Sequence, residues 1–135
     1  MTTADTFEPF LKALALWREA RGQSRHAKRG VLHVILNRAA SGFRGSTPAE
    51  VIQWPWQFSS FTFGDPNASR LPNPKNHSDW LAWLACCAMV DDPGDDPTGG
   101  AVLYHSLSPG SPDWPAWATA DKLTRQIGLF WFYRA

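Results

Sequence analysis

Two amphipathic stretches set three residues apart constrain this chain more than any other feature of its sequence. Phe7, Phe10, Leu11, Leu14 and Trp17 follow the three-and-four spacing of one helical face, which predicts a helix over 5–21. Ala27, Val31, Val34, Ile35 and Arg38 repeat that spacing and predict a second helix over 25–39. The alkyl stem of Arg38 can lie along this apolar face. Gly22 is a natural stop for the first helix and Ser24 a natural N-cap for the second. So short a link folds the two helices into a corner, and Glu19, in the last turn of the first, lies near it.

The rest of the chain carries weaker periodicity and stronger punctuation. Thr47-Pro48-Ala49-Glu50 reads as a capping box with proline at the first helical position, opening a short helix that ends near Gln53. Pro55, Pro66, Pro72 and Pro74 make 54–77 mostly loop, and a loop of that length in a small domain is usually functional. Ser78 is the expected cap of a helix over 79–90, with Trp80, Leu81, Leu84, Cys87 and Ala88 as its buried stripe. A turn-rich stretch from Asp91 to Gly100 leads to a short strand at 101–105. Strands at 123–126 and 129–133 form a hairpin about Ile127-Gly128. Helices first and a small antiparallel sheet near the C-terminus is an α+β order, expected here as a single domain over 1–135.

Composition excludes several classes. With 44% hydrophobic and 19% charged residues, the chain can bury a core and is not of the disordered type. No apolar run approaches the roughly 18–20 residues of a membrane-spanning helix, so no stable membrane insertion is expected. Met1 to Lys12 has no basic stretch followed by an apolar run, so no secretory leader is expected. The two cysteines, Cys86 and Cys87, are adjacent, which suits neither a disulfide framework nor a zinc site. Net charge is +1, yet eight Lys and Arg fall between Lys12 and Arg44. A solvated helix face explains them without a nucleic-acid partner, since no nucleic-acid motif accompanies them. Eight tryptophans in a short chain suggest that some line a groove, because the flat ring stacks on sugar faces.

For chemistry, Glu19 stands out. A carboxyl held against aromatic walls such as Trp17 keeps its proton near neutral pH and can protonate a leaving oxygen. Arg18 and Arg21 favour the ionised form instead, and a helix-end glutamate paired with arginine on the surface is the other reading of the same residue. No second carboxylate is placed beside Glu19 by the sequence, although Asp65 and Asp121 are available through the fold. A two-carboxylate glycosidase is therefore not legible. The acidic run Asp91-Asp92-Pro93-Gly94-Asp95-Asp96 lacks the spacing of a calcium loop and reads as a turn. The four histidines make no metal-binding motif, and no metal is expected.

Four stretches together resemble the cell wall hydrolase family that includes the spore cortex-lytic enzymes. They are Glu19-Ala20-Arg21-Gly22 followed by Val31 to Arg38 with its closing Asn37-Arg38; Val51-Ile52 leading to Gln57-Phe58-Ser59; Asp96-Pro97-Thr98-Gly99-Gly100-Ala101 with Tyr104; and Ile127-Gly128 with Phe132-Tyr133. They stand in the family's order over nearly the whole chain. Two positions depart from its pattern: Gln23 stands where a second glutamate is common, and Phe130 where a histidine is common.

The resemblance implies a lysozyme-like, mainly helical catalytic domain. It implies cleavage of the β-1,4 bond between N-acetylmuramic acid and N-acetylglucosamine in peptidoglycan, in the manner of a lytic transglycosylase without cofactor. Glu19 maps to the family's general acid/base. Gln57, Phe58, Ser59, Thr98 and Tyr104 map to positions that line the substrate cleft. A bare catalytic domain without a leader resembles a phage or prophage endolysin, made in the cytoplasm, released through a holin, and working as a monomer on the wall glycan strand. Two alternatives to the anhydro-forming enzyme are a hydrolysing muramidase and a non-catalytic wall-sugar-binding module.

Overall fold

The computed structural model describes residues 3–55, 57–58, 61, 65–66 and 68–135, with side chains from residue 7 onward. The corner is present: α1 spans Thr3–Ala20 and α2 spans Arg25–Ser41. Ser24 caps α2 as expected, its hydroxyl accepting the Ala27 N–H at 3.1 Å. α3, Pro48–Gln53, starts where the capping box placed it, with Thr47 Oγ1 accepting the Glu50 N–H at 3.2 Å. The reciprocal bond differs from the box. The Glu50 carboxylate reaches one residue further back, to the Ser46 N–H and hydroxyl at 2.9 Å each, and these bonds hold its pKa below the ordinary value.

α4 runs from His77 to Asp91, and its cap is Asn76 rather than Ser78. Asn76 Oδ1 accepts the Asp79 N–H at 3.0 Å while the Asp79 carboxylate accepts the Asn73 N–H at 2.7 Å. Asparagine and serine cap equally well. Starting at His77 lets Asp79 stand at the third helical position, where its carboxylate meets both the dipole and an upstream donor.

The sheet holds three antiparallel strands: β1 (Leu103–His105), β2 (Leu123–Ile127) and β3 (Phe130–Tyr133), in the order β1-β3-β2. The β2–β3 hairpin turns at Gly128-Leu129, with Gly128 at φ 58 in the first turning position, a backbone that favours glycine. β1 starts two residues later than its sequence pattern suggests. The carbonyls of Ala101 and Val102 are taken by Asn37 Nδ2 (2.9 Å) and Arg38 Nε (2.5 Å) of α2, while the Val102 N–H still donates to the Tyr133 carbonyl of β3 at 3.0 Å.

The main core lies between α1, α2, α4 and the inner face of the sheet, with Leu16, Trp17, Val31, Leu32, Cys86 and Phe132 among its buried members. Ile35, Val51, Ile52 and Phe58 form a second cluster under α3. A third, around Val102, Leu103, Ala118 and Tyr133, covers the outer face of the sheet with Trp114, Trp117 and Trp131. Helices followed by a small C-terminal antiparallel sheet make the α+β order read from the sequence.

Candidate active site

Glu19 ends α1 half-buried and opens onto a cleft of about 330 Å3 that it lines with Arg38, Gln57, Tyr104, Phe130 and the segment His105–Leu107. The aromatic wall here is not Trp17, which faces the core at 1% exposure with the Arg21 guanidinium 4.5 Å above its ring. Successive helix positions point about 100° apart, and two steps turn Trp17 away from Glu19. Tyr104 and Phe130 form the wall instead, ring edge to ring face with centroids 5.5 Å apart. Burial pushes the Tyr104 hydroxyl well above its usual range; the charge of Glu19 adds to this and Arg38 opposes it. Tyr104 thus feels the charges of both Glu19 and Arg38 and keeps its proton.

The neighbouring arginines engage other groups. Arg18 donates to the carbonyls of Arg70 and Ala68 at 3.0 Å each, with its cation 4.8 Å from the Phe61 ring. Burial lowers its pKa and the charge of Glu19 raises it. Arg21 caps the end of α1 through the carbonyl of Trp17 at 3.2 Å.

Arg38 is buried at 4% exposure, its guanidinium 5.4 Å from the Phe58 ring and 5.8 Å from that of Phe43. Burial pushes its pKa down to about 10, with Tyr104 raising it and Arg44 lowering it, so it stays a cation at neutral pH. Arg44 also lies against Phe43, 4.8 Å from its ring centroid, and donates to Gln57 Oε1. Its φ of 56 is in the left-handed region, where a long side chain is uncommon.

The sequence-derived site residues divide. Gln57 and Tyr104 reach the cleft beside Glu19. Phe58 does not: at 2% exposure it packs behind Tyr104, ring centroids 6.4 Å apart. Thr98 is fully buried and serves the turn, donating from N–H and hydroxyl to Asp96 Oδ1 at 2.7 Å each and accepting the Ala101 N–H at 3.1 Å. Ser59 lies outside the described residues. Arg38, Ser106, Leu107 and Phe130 line the cleft without having been singled out for it. An arginine in an apolar helical stripe was the available signal for Arg38; nothing local marks Ser106 or Leu107. His105 accepts the Leu107 N–H at Nδ1 (3.1 Å), so Nε2 carries the hydrogen and donates to Tyr133 Oη at 3.0 Å. Burial lowers its pKa and keeps it neutral. Among the described residues no tryptophan lines this cleft; Trp114, Trp117 and Trp131 pack around His105 and Tyr133.

The acidic run has a structural hub. Asp96 accepts Asn37 Nδ2 at 2.9 Å and the Gly100 N–H at 3.0 Å besides the two Thr98 bonds. Its burial raises the carboxyl pKa, and the hydrogen bonds outweigh this and leave it lowered. Among the described residues no three His, Cys, Asp or Glu converge as a metal site, and no helix is long and apolar enough to cross a membrane.

The residues joined by these bonds come from the separate stretches of the sequence that pointed to one family. Asn37 and Arg38 close the α2 run, and they bind the Asp96–Val102 segment directly. The profile of the cell wall hydrolase family matches residues 22–133. The chain belongs to the cell wall hydrolase family. The profile match begins three residues beyond Glu19. Among solved structures, this family member is similar to the catalytic domain of the Bacillus cereus SleB protein. The match has 27% identity and a TM-score of 0.65, covering 96% of this chain and 91% of that one. It is also similar to the catalytic domain of the germination-specific lytic transglycosylase SleB from Bacillus anthracis, at 26% identity and a TM-score of 0.61, covering 94% and 93%. No curated protein matches the sequence significantly.

Proposed function

We propose that the chain degrades peptidoglycan as a glycosidase, cleaving the β-1,4 bond between N-acetylmuramic acid and N-acetylglucosamine in lytic transglycosylase mode, with Glu19 as general acid and base. The observation that carries this is the placement of Glu19. It is the one carboxylate among the described residues lining the cleft, and it faces Tyr104 and Phe130. Membership of the cell wall hydrolase family and likeness to a lytic transglycosylase domain support the substrate class.

A single carboxylate suits a mechanism in which the substrate supplies the second group. Protonated Glu19 gives its proton to the glycosidic oxygen as the bond to the anomeric carbon breaks, and the sugar's acetamido group assists at that carbon. The Glu19 carboxylate then takes the proton of the muramic 6-hydroxyl, whose oxygen bonds to the anomeric carbon. The product is a 1,6-anhydro ring, and Glu19 returns to its starting state. Tyr104 holds its proton throughout and is a fixed donor at the cleft wall. Gln57 and Tyr104 are the proposed sugar contacts.

The test is Glu19→Gln on purified sacculi. Wall solubilisation is expected to fall by about 10²–10⁴-fold, the usual scale for loss of a general acid, with the circular dichroism spectrum unchanged. A folded variant that solubilises wall at the parental rate refutes the catalytic role and favours a wall-binding module. Mass spectrometry of the released muropeptides is expected to show anhydro-muramic ends; reducing ends would replace this mode with a hydrolysing muramidase.

A further inference from the structure

We propose that Arg38, Arg44 and Gln57 form a carboxylate-binding end of the cleft, which selects acidic glycan strands over neutral β-1,4 glycans. The inference rests on the reading of this cleft as a glycan site. Three independent features point to an anion. First, the guanidinium groups of Arg38 and Arg44 sit 5.8 and 4.8 Å from the centroid of one ring, Phe43, so folding brings two like charges together. Second, Arg38 is more than nine-tenths buried, and its Nη1 has no hydrogen-bond partner among the described residues; its Nε is used by Val102. Third, Arg44 is held in a left-handed backbone conformation while its side chain is fixed on Gln57, a residue that lines the cleft.

Buried charge and like-charge proximity are both unfavourable unless an opposite charge relieves them. Strain held at a residue bonded to a cleft wall, as Arg44 is to Gln57, is a mark of ligand clamps. Glu19 and Arg38 both line the cleft with Tyr104, which feels the charge of each, and Arg38 in turn feels that of Arg44. The arginine fork matches a carboxylate bidentately; Arg38 lines the cleft as a buried charge, and half-buried Arg44 joins it there through Gln57. A peptidoglycan strand carries carboxylates in two places, on the lactyl ether of a muramic acid without its peptide and on the stem peptide.

The experiment uses the full chain with soluble strands in four forms: with stem peptides, with stem peptides whose carboxyls are methylamidated, stripped to free lactyl carboxylates, and stripped then methylamidated. For the wild type, kcat/KM is expected to be about tenfold higher on an acidic form than on its amidated partner, the scale of one charged hydrogen-bonding pair, mostly through KM. The pair of substrates that shows the ratio identifies the lactyl or the stem source. In Arg44→Asn, whose side chain tolerates the left-handed backbone, the ratio is expected to fall to about one; Arg44→Lys should restore part of it. A wild-type ratio near one in both pairs, or a ratio unchanged in Arg44→Asn, overturns the inference. Equilibrium binding of the same strands separates the two readings. Tighter binding of acidic strands without any cleavage would keep this site and sink the proposed reaction. Cleavage without discrimination would do the reverse.

Discussion

Gly30 shows how one residue sets the distance between a helix and the sheet. A Cβ at this position would stand 2.6 Å from Cζ of Phe132, a ring with no exposed surface and therefore no room to retreat. α2 and β3 approach as closely as they do because that atom is missing. Gly30→Ala is expected to lower stability by about 1–3 kcal/mol, the range for overpacking a filled core. Thermal denaturation reads this directly, and an unchanged midpoint would mean that the ring moves freely. The same scale explains the reassignment at Glu19. The carboxylate's place at the end of α1 was legible from helix period and glycine stop, while the ring it faces was not. Trp17 is its neighbour in sequence, but Tyr104 and Phe130 arrive from the sheet.

The segment that precedes β1 ties α2 to the sheet through side-chain bonds. Asn37 and Arg38, on consecutive positions of α2, hold Asp96, Ala101 and Val102 by side-chain bonds. Asp96 in turn closes its own turn onto Thr98 and Gly100. The Asp96 carboxylate pKa is lowered in the folded chain, so its contribution is present above the unfolded value, near 3.9, and is lost as pH falls through the lower folded value. Asp96→Asn is therefore expected to lose about 1–2 kcal/mol at neutral pH, the scale for a half-buried, solvent-screened charged hydrogen-bond acceptor. The gap between wild type and variant should close as pH drops below about 4. Urea denaturation at several pH values checks it; a gap independent of pH would show that the charge is not what holds the turn. Thr98 looked like a cleft residue because it stands in a motif, and it proves to be a bolt inside that turn.

Across the whole molecule, folding disperses the basic segment of the sequence. Arg18 and Arg21 engage backbone carbonyls, Arg38 is internal, and Arg44 holds Gln57. Arg25 and Lys28 border a groove shared with Asp92. Binding to duplex DNA or heparin is expected to be weak, with a log–log salt slope below about 2, against 5 or more for a surface that neutralises several phosphates. A steep slope would restore a nucleic-acid partner. The tryptophans are spread likewise: Trp17 and Trp83 belong to the main core and Trp114, Trp117 and Trp131 to the cluster behind the sheet, and among the described residues none lines the cleft at Glu19.

Helix positions, two of the three N-caps, the hairpin and the carboxylate at the end of α1 were all written in the sequence. Their rules act within one or two turns of chain, where spacing and capping chemistry are local. Which side chains share the cleft was decided only by tertiary structure. Arg38, Gln57, Tyr104 and Phe130 lie on four different elements or loops, and they meet because Gly30 admits the sheet to α2 and Asn37-Arg38 fix the approach to β1. Such contacts depend on how buried surfaces fit together, and no short stretch of sequence carries that information by itself.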